Sequence, residues 1–468
     1  MKLAPSLPPR VVGLAAAITL TAGVICSFTV ESDPGPLRWD ARVLPLVDVV
    51  QRERGLRFKH AVPVTFLADQ DFEKQLASSA DQSEDDKKQL AEFVGQLRAL
   101  DLVQGDVDLR AAYDDLTGSS IVGLYQPDEQ QVLVRGTDLT PFVRTTLVHE
   151  LTHVLQDQYF DLAKLQDAAP GGDTTALDAL VEGDATRVEE AYRATLSTAD
   201  QATYDKELTA GLAGVEGRTS NVPAVLSDFL SFPYVFGPVL LDALTGKGGN
   251  TEVDRAFRHP PTSEAQVLDP LGYPYNRDPV DVADPTLPAG AVAFGDPGPF
   301  GQVFLFEVLG SRLGYATALS AVRGWRGDAS RGYRQGTTVC TAADITMADG
   351  AAAARLASAS RAWAAAVQGP TVTVAGTTVF LRSCDPGTAG KPPTTKHPTA
   401  FEVLVARQQV VHELAGHGAN LRVSACVADA MVADGRATGY RDLTARELSP
   451  SALAHLQQVA AAAGQRCR

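Results

Sequence analysis

With 468 residues, 45% of them apolar and 21% charged, the chain has an ordinary globular composition and is long enough for several domains. A net charge of −15 and a pI near 5.0 give a surface that repels phosphate backbones, so nucleic acid is excluded as an expected partner.

Residues 1–10 carry Lys2 and Arg10 and no acid, and Val11 to Val30 then runs for 20 residues without a charge. That run is long enough to cross a bilayer, and no clean small-x-small cleavage site follows it. It reads as an uncleaved membrane anchor with its positive end in the cytoplasm; a cleaved signal is the alternative. Cys26 follows Ile25, too bulky for a usual lipoprotein signal. Both export readings place the rest of the chain outside the cytoplasm.

Val47–Phe58 has helical spacing, Val62–Leu67 reads as a strand, and Asp69–Leu100 as one or two solvated helices. Two apolar runs, Ile121–Tyr125 and Gln131–Arg135, flank the turn residues Gln126–Gln130 and predict a hairpin. Gln131–Arg135 is also a candidate edge for pairing with an extended substrate. Thr140 then offers an N-cap and Pro141 a first helical residue. Leu147, Leu151, Val154 and Leu155 supply a buried stripe.

That helix carries His149-Glu150-Leu151-Thr152-His153. Residues four apart share a helical face, so both imidazoles can meet one ion, and Glu150 can reach a water beside it. Two imidazoles suit Zn²⁺, and a glutamate at this spacing suits a general base. Gln156 and Tyr159 stand where a metzincin needs glycine and histidine, so that class is excluded. The third ligand is expected from the next helix, Ala176–Leu196, as Glu182 in Leu180-Val181-Glu182-Gly183-Asp184-Ala185, with Gly183 permitting close approach to the metal. Asp178, Asp184 and Glu189 compete with Glu182, and helical phase alone leaves Asp178 and Glu189 open. Asp157, four residues after His153, is a candidate to orient that imidazole.

Downstream, Ala202–Leu212 is helical, and Phe229–Pro238 is an aromatic, Pro-punctuated stretch opening a helix to Leu244. Val253–Phe257 is a short helix and Asp278–Phe300 a loop. Gly301–Leu313 and Ala316–Val322 are helical, and Thr371–Leu381 is a hairpin around Gly376. Tyr234 and His259, in Pro-bounded loops after the ligand helices, are candidate oxyanion donors, with packing and turn roles as the alternatives. His412-Glu413-Leu414-Ala415-Gly416-His417 imitates the metal motif, but its histidines are five apart, roughly 140° from one another on a helix. It reads as a surface helix ending at Gly416 or Gly418. Arg326-Gly327-Asp328 reads as a structural turn. Cys340, Cys384, Cys426 and Cys467 form an even set suited to an oxidising compartment. Cys340–Cys384 and Cys426–Cys467 are the local pairings among three connectivities.

The segment Gly123-Leu124-Tyr125, the stretch His149 to Gln158, and Val181-Glu182-Gly183-Asp184-Ala185-Thr186 together resemble bacterial zinc metallopeptidases of the gluzincin type. Phe232–Gly237, Ala256–Leu268 and Gly324–Asp328 add weaker likeness, and the resemblance covers roughly residues 45–385. The gap from His153 to Glu182 is longer than in thermolysin-like enzymes. The resemblance implies a protease fold and a metal, and says little about substrate. The expected architecture is α+β. A cytoplasmic N-terminus (1–10) and a transmembrane helix (11–30) precede a mostly helical, zincin-like metalloprotease domain with a small sheet (31–390). A Pro/Thr linker (391–400) and a small helical C-terminal unit (401–468) follow. The expected function is a membrane-anchored or secreted peptidase using Zn²⁺ on His149, His153 and Glu182, with Glu150 as base and a peptide or protein as substrate. A non-catalytic binding module of the cell envelope and a purely structural zinc site are the rivals.

Overall fold

The computed structural model describes residues 38–77, 84–117, 121–169, 173–219, 222–273, 279–367, 369–388, 398–445 and 448–467. The expected anchor at 11–30 and residues 391–397 of the expected linker lie outside them. Among the described residues the architecture is α+β, as expected, with many helices and two small sheets.

The first part of the chain contains α1 (Leu44–Arg54), β1 (Val64–Leu67), α2 (Asp69–Ala77), α3 (Glu84–Ala99), α4 (Leu109–Thr117), β2 (Gly123–Gln126) and β3 (Gln131–Arg135). The predicted β2–β3 hairpin is present. Its sheet has the order β1-β3-β2, with β1 parallel and β2 antiparallel to β3. Val132, Leu133 and Val134 are all buried, the continuous apolar pattern of a central strand. That position corrects the expectation that β3 is a free edge: β3 has a partner on both sides, and the edge strands are β1 and β2.

The next helix, α5 (Pro141–Phe160), begins as predicted. Thr140 Oγ1 accepts from Val143 N at 3.3 Å, with Pro141 in the first turn. Its burial is not a stripe. Leu147, Leu151, Val154 and Leu155 are buried, and so are His149, Glu150, Thr152, His153 and Gln156 on its other faces. One side packs with Val47 and Val50 of α1 and Val132 and Val134 of β3. Another packs on α7 (Thr175–Arg193), reached through the short α6 (Leu162–Asp167).

After α8 (Thr198–Thr219) comes α9 (Ala224–Gly248), which corrects the prediction of an irregular stretch up to Pro238. The helix starts at Ala224 and continues through Pro233 and Pro238. It is long and apolar enough to cross a membrane, but half of its apolar window is buried within the protein. Its extensive contacts with α7 and α15 (Ala400–Gly416) make it a core helix. The crossing of α7 and α9 is set by two glycines: a Cβ on Gly183 would fall 2.5 Å from the Gly237 backbone, and one on Gly237 would fall 2.3 Å from Ala179 O. Gly183 therefore lets α9 lie close against α7.

Beyond α10 (Asn250–Arg258) and α11 (Glu264–Leu268), β4 (Val292–Gly298) occupies part of the expected loop. The predicted helices α12 (Gln302–Leu313) and α13 (Tyr315–Val322) follow. Then β5 (Trp325–Gln335), β6 (Thr338–Met347), α14 (Gly350–Val367), β7 (Thr371–Ala375) and β8 (Thr378–Cys384) complete an antiparallel sheet ordered β4-β5-β6-β8-β7. Arg326-Gly327-Asp328 lies in β5 instead of a turn. Asp328 accepts from Phe300 N at 2.6 Å and Trp325 Nε1 at 2.6 Å, which makes it structural.

The C-terminal stretch is helical: α15, α16 (Leu421–Gly435) and α17 (Pro450–Arg466). A capping box between Thr399 and Glu402 opens α15. Phe401, Val403, Leu404 and Val405 join the main core, whereas Leu414, Val427, Met431 and Leu456 form a small cluster of their own. So α15 is a packed helix, not the surface helix expected, although it ends at Gly416 as predicted. Cys340 pairs with Cys384 across β6 and β8, and Cys426 with Cys467 across α16 and the end of α17. Both pairings are the predicted ones, and disulfides are the mark of chains that mature outside a reducing cytoplasm.

Candidate metal centre

Three side chains from two helices converge. The ligand atoms of His149 and His153 on α5 and Glu182 on α7 all lie within 4.8 Å of one another, and all three residues are buried. His149 Nε2 is 3.0 Å from Glu182 Oε2. His153 Nε2 is 3.4 Å from the same oxygen, without hydrogen-bond geometry, and is left with no hydrogen-bond partner. A buried imidazole nitrogen aimed at a carboxylate, with nothing to donate to or accept from, fits a site built for a cation. Two imidazoles and one carboxylate form a donor set typical of first-row divalent ions such as Zn²⁺.

The outer contacts settle which nitrogen faces inward. His149 Nδ1 is 3.0 Å from Glu189 Oε2, and His153 Nδ1 is 3.0 Å from Gln156 Oε1. Gln156 Nε2 donates to Val181 O at 3.0 Å and Asp184 Oδ2 at 3.1 Å, so its Oε1 must be the acceptor. Each Nδ1 thus donates outward and each Nε2 is turned to the ion site. The chain of contacts continues to Arg54 of α1, whose Nε is 2.8 Å from Asp184 Oδ2, while Arg187 Nη2 donates to Asp184 Oδ1 at 2.9 Å.

These positions sort the competing acids. Asp184 is fully buried and committed to Arg54, Arg187 and Gln156, so it is a support and not a ligand. Glu189, seven residues after Glu182, holds His149 from behind. Asp178 Oδ2 accepts from Thr174 Oγ1 at 2.8 Å. Asp157 does not orient His153: it accepts from Tyr125 Oη at 2.8 Å and Leu162 N at 3.0 Å, tying α5 to β2 and capping α6. Gln156 does what Asp157 was expected to do. Its role was not legible, because it depends on a carboxylate and an arginine far along the chain.

Glu150 is buried beside the two histidines. Its Oε2 accepts from Tyr125 N of β2 at 2.8 Å. A Cβ on Gly123 would lie 2.9 Å from Glu150 Cγ, so the glycine lets β2 lie against this side chain. Tyr234, in the Pro-containing part of α9 and not in a loop, stacks on His149 with ring centroids 6.3 Å apart. His259 is exposed at the C-terminus of α10, where its carbonyl accepts from Tyr273 Oη. Among the described residues no hydrogen bond, ion pair or ring contact joins its side chain to His149, His153, Glu150 or Glu182.

Without a metal the electrostatics are those of a site crowded with acid. Burial alone drives imidazoles toward neutrality, yet Glu182 and Glu189 hold His149 well above the ordinary imidazole range, and Glu182 raises His153. Burial pushes the Glu182 carboxyl up, but the two histidines pull it down to about 2. Burial raises Glu150, with the histidines opposing, and raises Tyr234 far enough to keep its hydroxyl protonated.

A pH prediction follows from these directions. A raised pKa favours the protonated imidazole, and a metal must displace that proton. Metal affinity is therefore expected to rise with pH, by about tenfold per pH unit for each proton released. The metal-free fold goes the other way. Its raised imidazoles contribute stability that is complete below the ordinary imidazole range and is lost as pH rises through the folded values. Zinc titrations in buffers of differing ionisation heat read the released protons; a binding heat independent of the buffer would contradict the assignment.

Searches of family models, of curated proteins and of solved structures returned no match to this chain. Two buried histidines, each held by a defined outer contact, and a buried glutamate form a group able to hold a metal ion.

Proposed function

We propose that the protein is a zinc-dependent peptidase with a zincin-like core of the gluzincin type. The observation that carries the reading is the convergence of His149, His153 and Glu182 with Glu150 beside them, one carboxylate oxygen fixed by Tyr125 N. His149, His153 and Glu182 would hold the divalent cation, which would supply Lewis acidity for a peptide carbonyl and a water. Glu150 accepts the proton of the attacking water and returns it to the leaving amine. Burial raises its pKa, toward the range a proton shuttle needs. Tyr234, kept protonated by burial and by Glu182 and Glu150, is the side chain suited to donate to the developing oxyanion. An extended peptide pairs along β2, the edge strand beside Glu150. The apolar segment 11–30 anchors the chain so that this site faces away from the cytoplasm; a secreted form is the variant of that reading.

The test is direct. Purified protein is expected to hold about one zinc per chain and to cleave peptides from a mixed-sequence library. Cleavage is expected to stop on chelation and to return with zinc. Zinc bound without turnover across the library would favour a binding module of the cell envelope, and no zinc uptake would end the metal reading.

A further inference from the structure

The H-E-L-A-G-H stretch at the end of α15 is not among the groups placed to hold a metal ion in the described residues, yet its first histidine ties together two helices of the metal centre. His412 Nδ1 is 2.7 Å from Asp242 Oδ2 of α9, and its Nε2 is 3.2 Å from Glu190 Oε2 of α7. His417, the second histidine, is exposed and pairs with Glu413 at 3.5 Å. One imidazole thus spans two carboxylates on two helices, and both ring nitrogens must donate. The charge this requires is stable: burial opposes it, but Asp242 and Glu190 raise the imidazole to about 10. Arg193 on α7 adds a second cation near Glu190.

The two helices it joins are the ones that matter for the site. Of these, α7 carries Glu182 and α9 carries Tyr234, and they touch backbone to backbone at Gly183 and Gly237. Glu190 is the immediate neighbour of Glu189, whose carboxylate holds His149 Nδ1 at 3.0 Å. Consecutive helical residues point about 100° apart, so Glu189 turns to α5 while Glu190 turns to α15. Fixing one fixes the turn that presents the other.

We propose that His412 is a positioning residue for the metal centre: by bridging Glu190 and Asp242 it pins the turn of α7 from which Glu189 orients the His149 imidazole. The C-terminal helices are then part of the metal-binding apparatus. The proposal rests on the metal reading above, and it concerns how well the ion is held, not the hydrolytic step.

The experiment measures zinc affinity by competition with a chromophoric chelator, beside thermal unfolding of the metal-free chain. His412→Gln keeps the size but loses the charge and one donor, and is expected to weaken zinc about tenfold, the usual scale for an outer contact. His412→Arg keeps a charge that can serve both carboxylates and is expected to recover affinity to within about threefold of wild type. Val411→Ala, in the same turn and buried against Val239 and Ala428, is expected to lower the melting temperature while leaving zinc affinity within about twofold. If His412→Gln does not fold, the pair Glu190→Gln with His412→Gln strands no carboxylate on α7 and carries the same readout. Affinity unchanged in His412→Gln, or affinity that simply tracks melting temperature across all variants, overturns the proposal. Wild-type protein that takes up no zinc fails the metal reading itself, an outcome distinct from zinc that binds wild type and His412→Gln alike.

Discussion

Replacing Glu150 by glutamine is expected to leave zinc bound and to lower peptide cleavage by about 10²–10⁴-fold, the range for loss of a positioned general base. Glutamine has the same shape, and its side-chain oxygen can still accept from Tyr125 N, which Glu150 Oε2 does at 2.8 Å. What it lacks is the ability to take a proton. The three ion-facing groups are untouched, since Glu150 belongs to none of the ligand-atom contacts that define the site. Stability is not expected to fall either. A buried carboxyl whose pKa is raised by desolvation is a destabilising charge at neutral pH, and a neutral isostere relieves it. The measurements are metal content, melting temperature and single-turnover cleavage of one library peptide. Turnover within tenfold of wild type removes Glu150 as the base. Loss of zinc from the variant would instead mean that Glu150 helps to hold the ion, and the ligand set would need redrawing.

What the sequence made legible is local. The cap at Thr140, the four-residue spacing of His149 and His153, and the turn between β2 and β3 all act within a few residues of each other. Glu182 was reachable because it needed only one more helix of the right phase. The failures are of two physical kinds. In α9, Pro233 and Pro238 each remove a helical hydrogen bond, so local propensity ends the helix there. The apolar surface it buries against α7 and α15 overrides that preference, and this moved Tyr234 from a loop onto a core helix beside His149. In β5, the run Arg326-Gly327-Asp328-Ala329-Ser330-Arg331-Gly332 shows neither alternation nor β-branched residues, so pairing with β6 and β4 had no sequence signal. The β3 edge was misjudged because β1, its parallel partner, lies far upstream and joins it through tertiary contact alone. Long-range polar partners are hidden in the same way. Nothing near Gln156 announces that Arg54, on a helix at the other end of the domain, will fix its orientation through Asp184.

That last chain of contacts gives the largest expected effect on stability. Arg54 is 1% exposed and Asp184 fully buried. Arg54 Nε lies 2.8 Å from Asp184 Oδ2, and its Nη2 donates to Asp254 Oδ1 at 2.8 Å. Burial pushes the Asp184 carboxyl up, but Arg54 first and Arg187 second outweigh it and hold it below the usual carboxylate range. Arg54→Met fills much of the same space and removes the stronger of the two counter-charges. The cost expected is about 3–5 kcal/mol, the range for stranding one member of a buried ion pair. Arg52→Met, on the same helix but with its side chain 59% exposed, is expected to change stability by less than about 0.5 kcal/mol. The pH dependence distinguishes a stranded charge from a packing defect. In wild type Asp184 has a lowered pKa, so its contribution is present above the unfolded carboxyl range and is lost as pH falls through the folded value. With Arg54 gone, desolvation works against Asp184 with Arg187 alone opposing it, so the deficit of the variant is expected to shrink in acid, where the carboxyl is protonated. Urea unfolding of wild type, Arg54→Met and Arg52→Met at neutral and mildly acid pH reads both quantities. A deficit equal at the two pH values would assign the loss to packing. A deficit under about 1 kcal/mol would mean that Arg187 suffices for Asp184, and that Gln156, and through it His153, does not depend on α1 for its orientation.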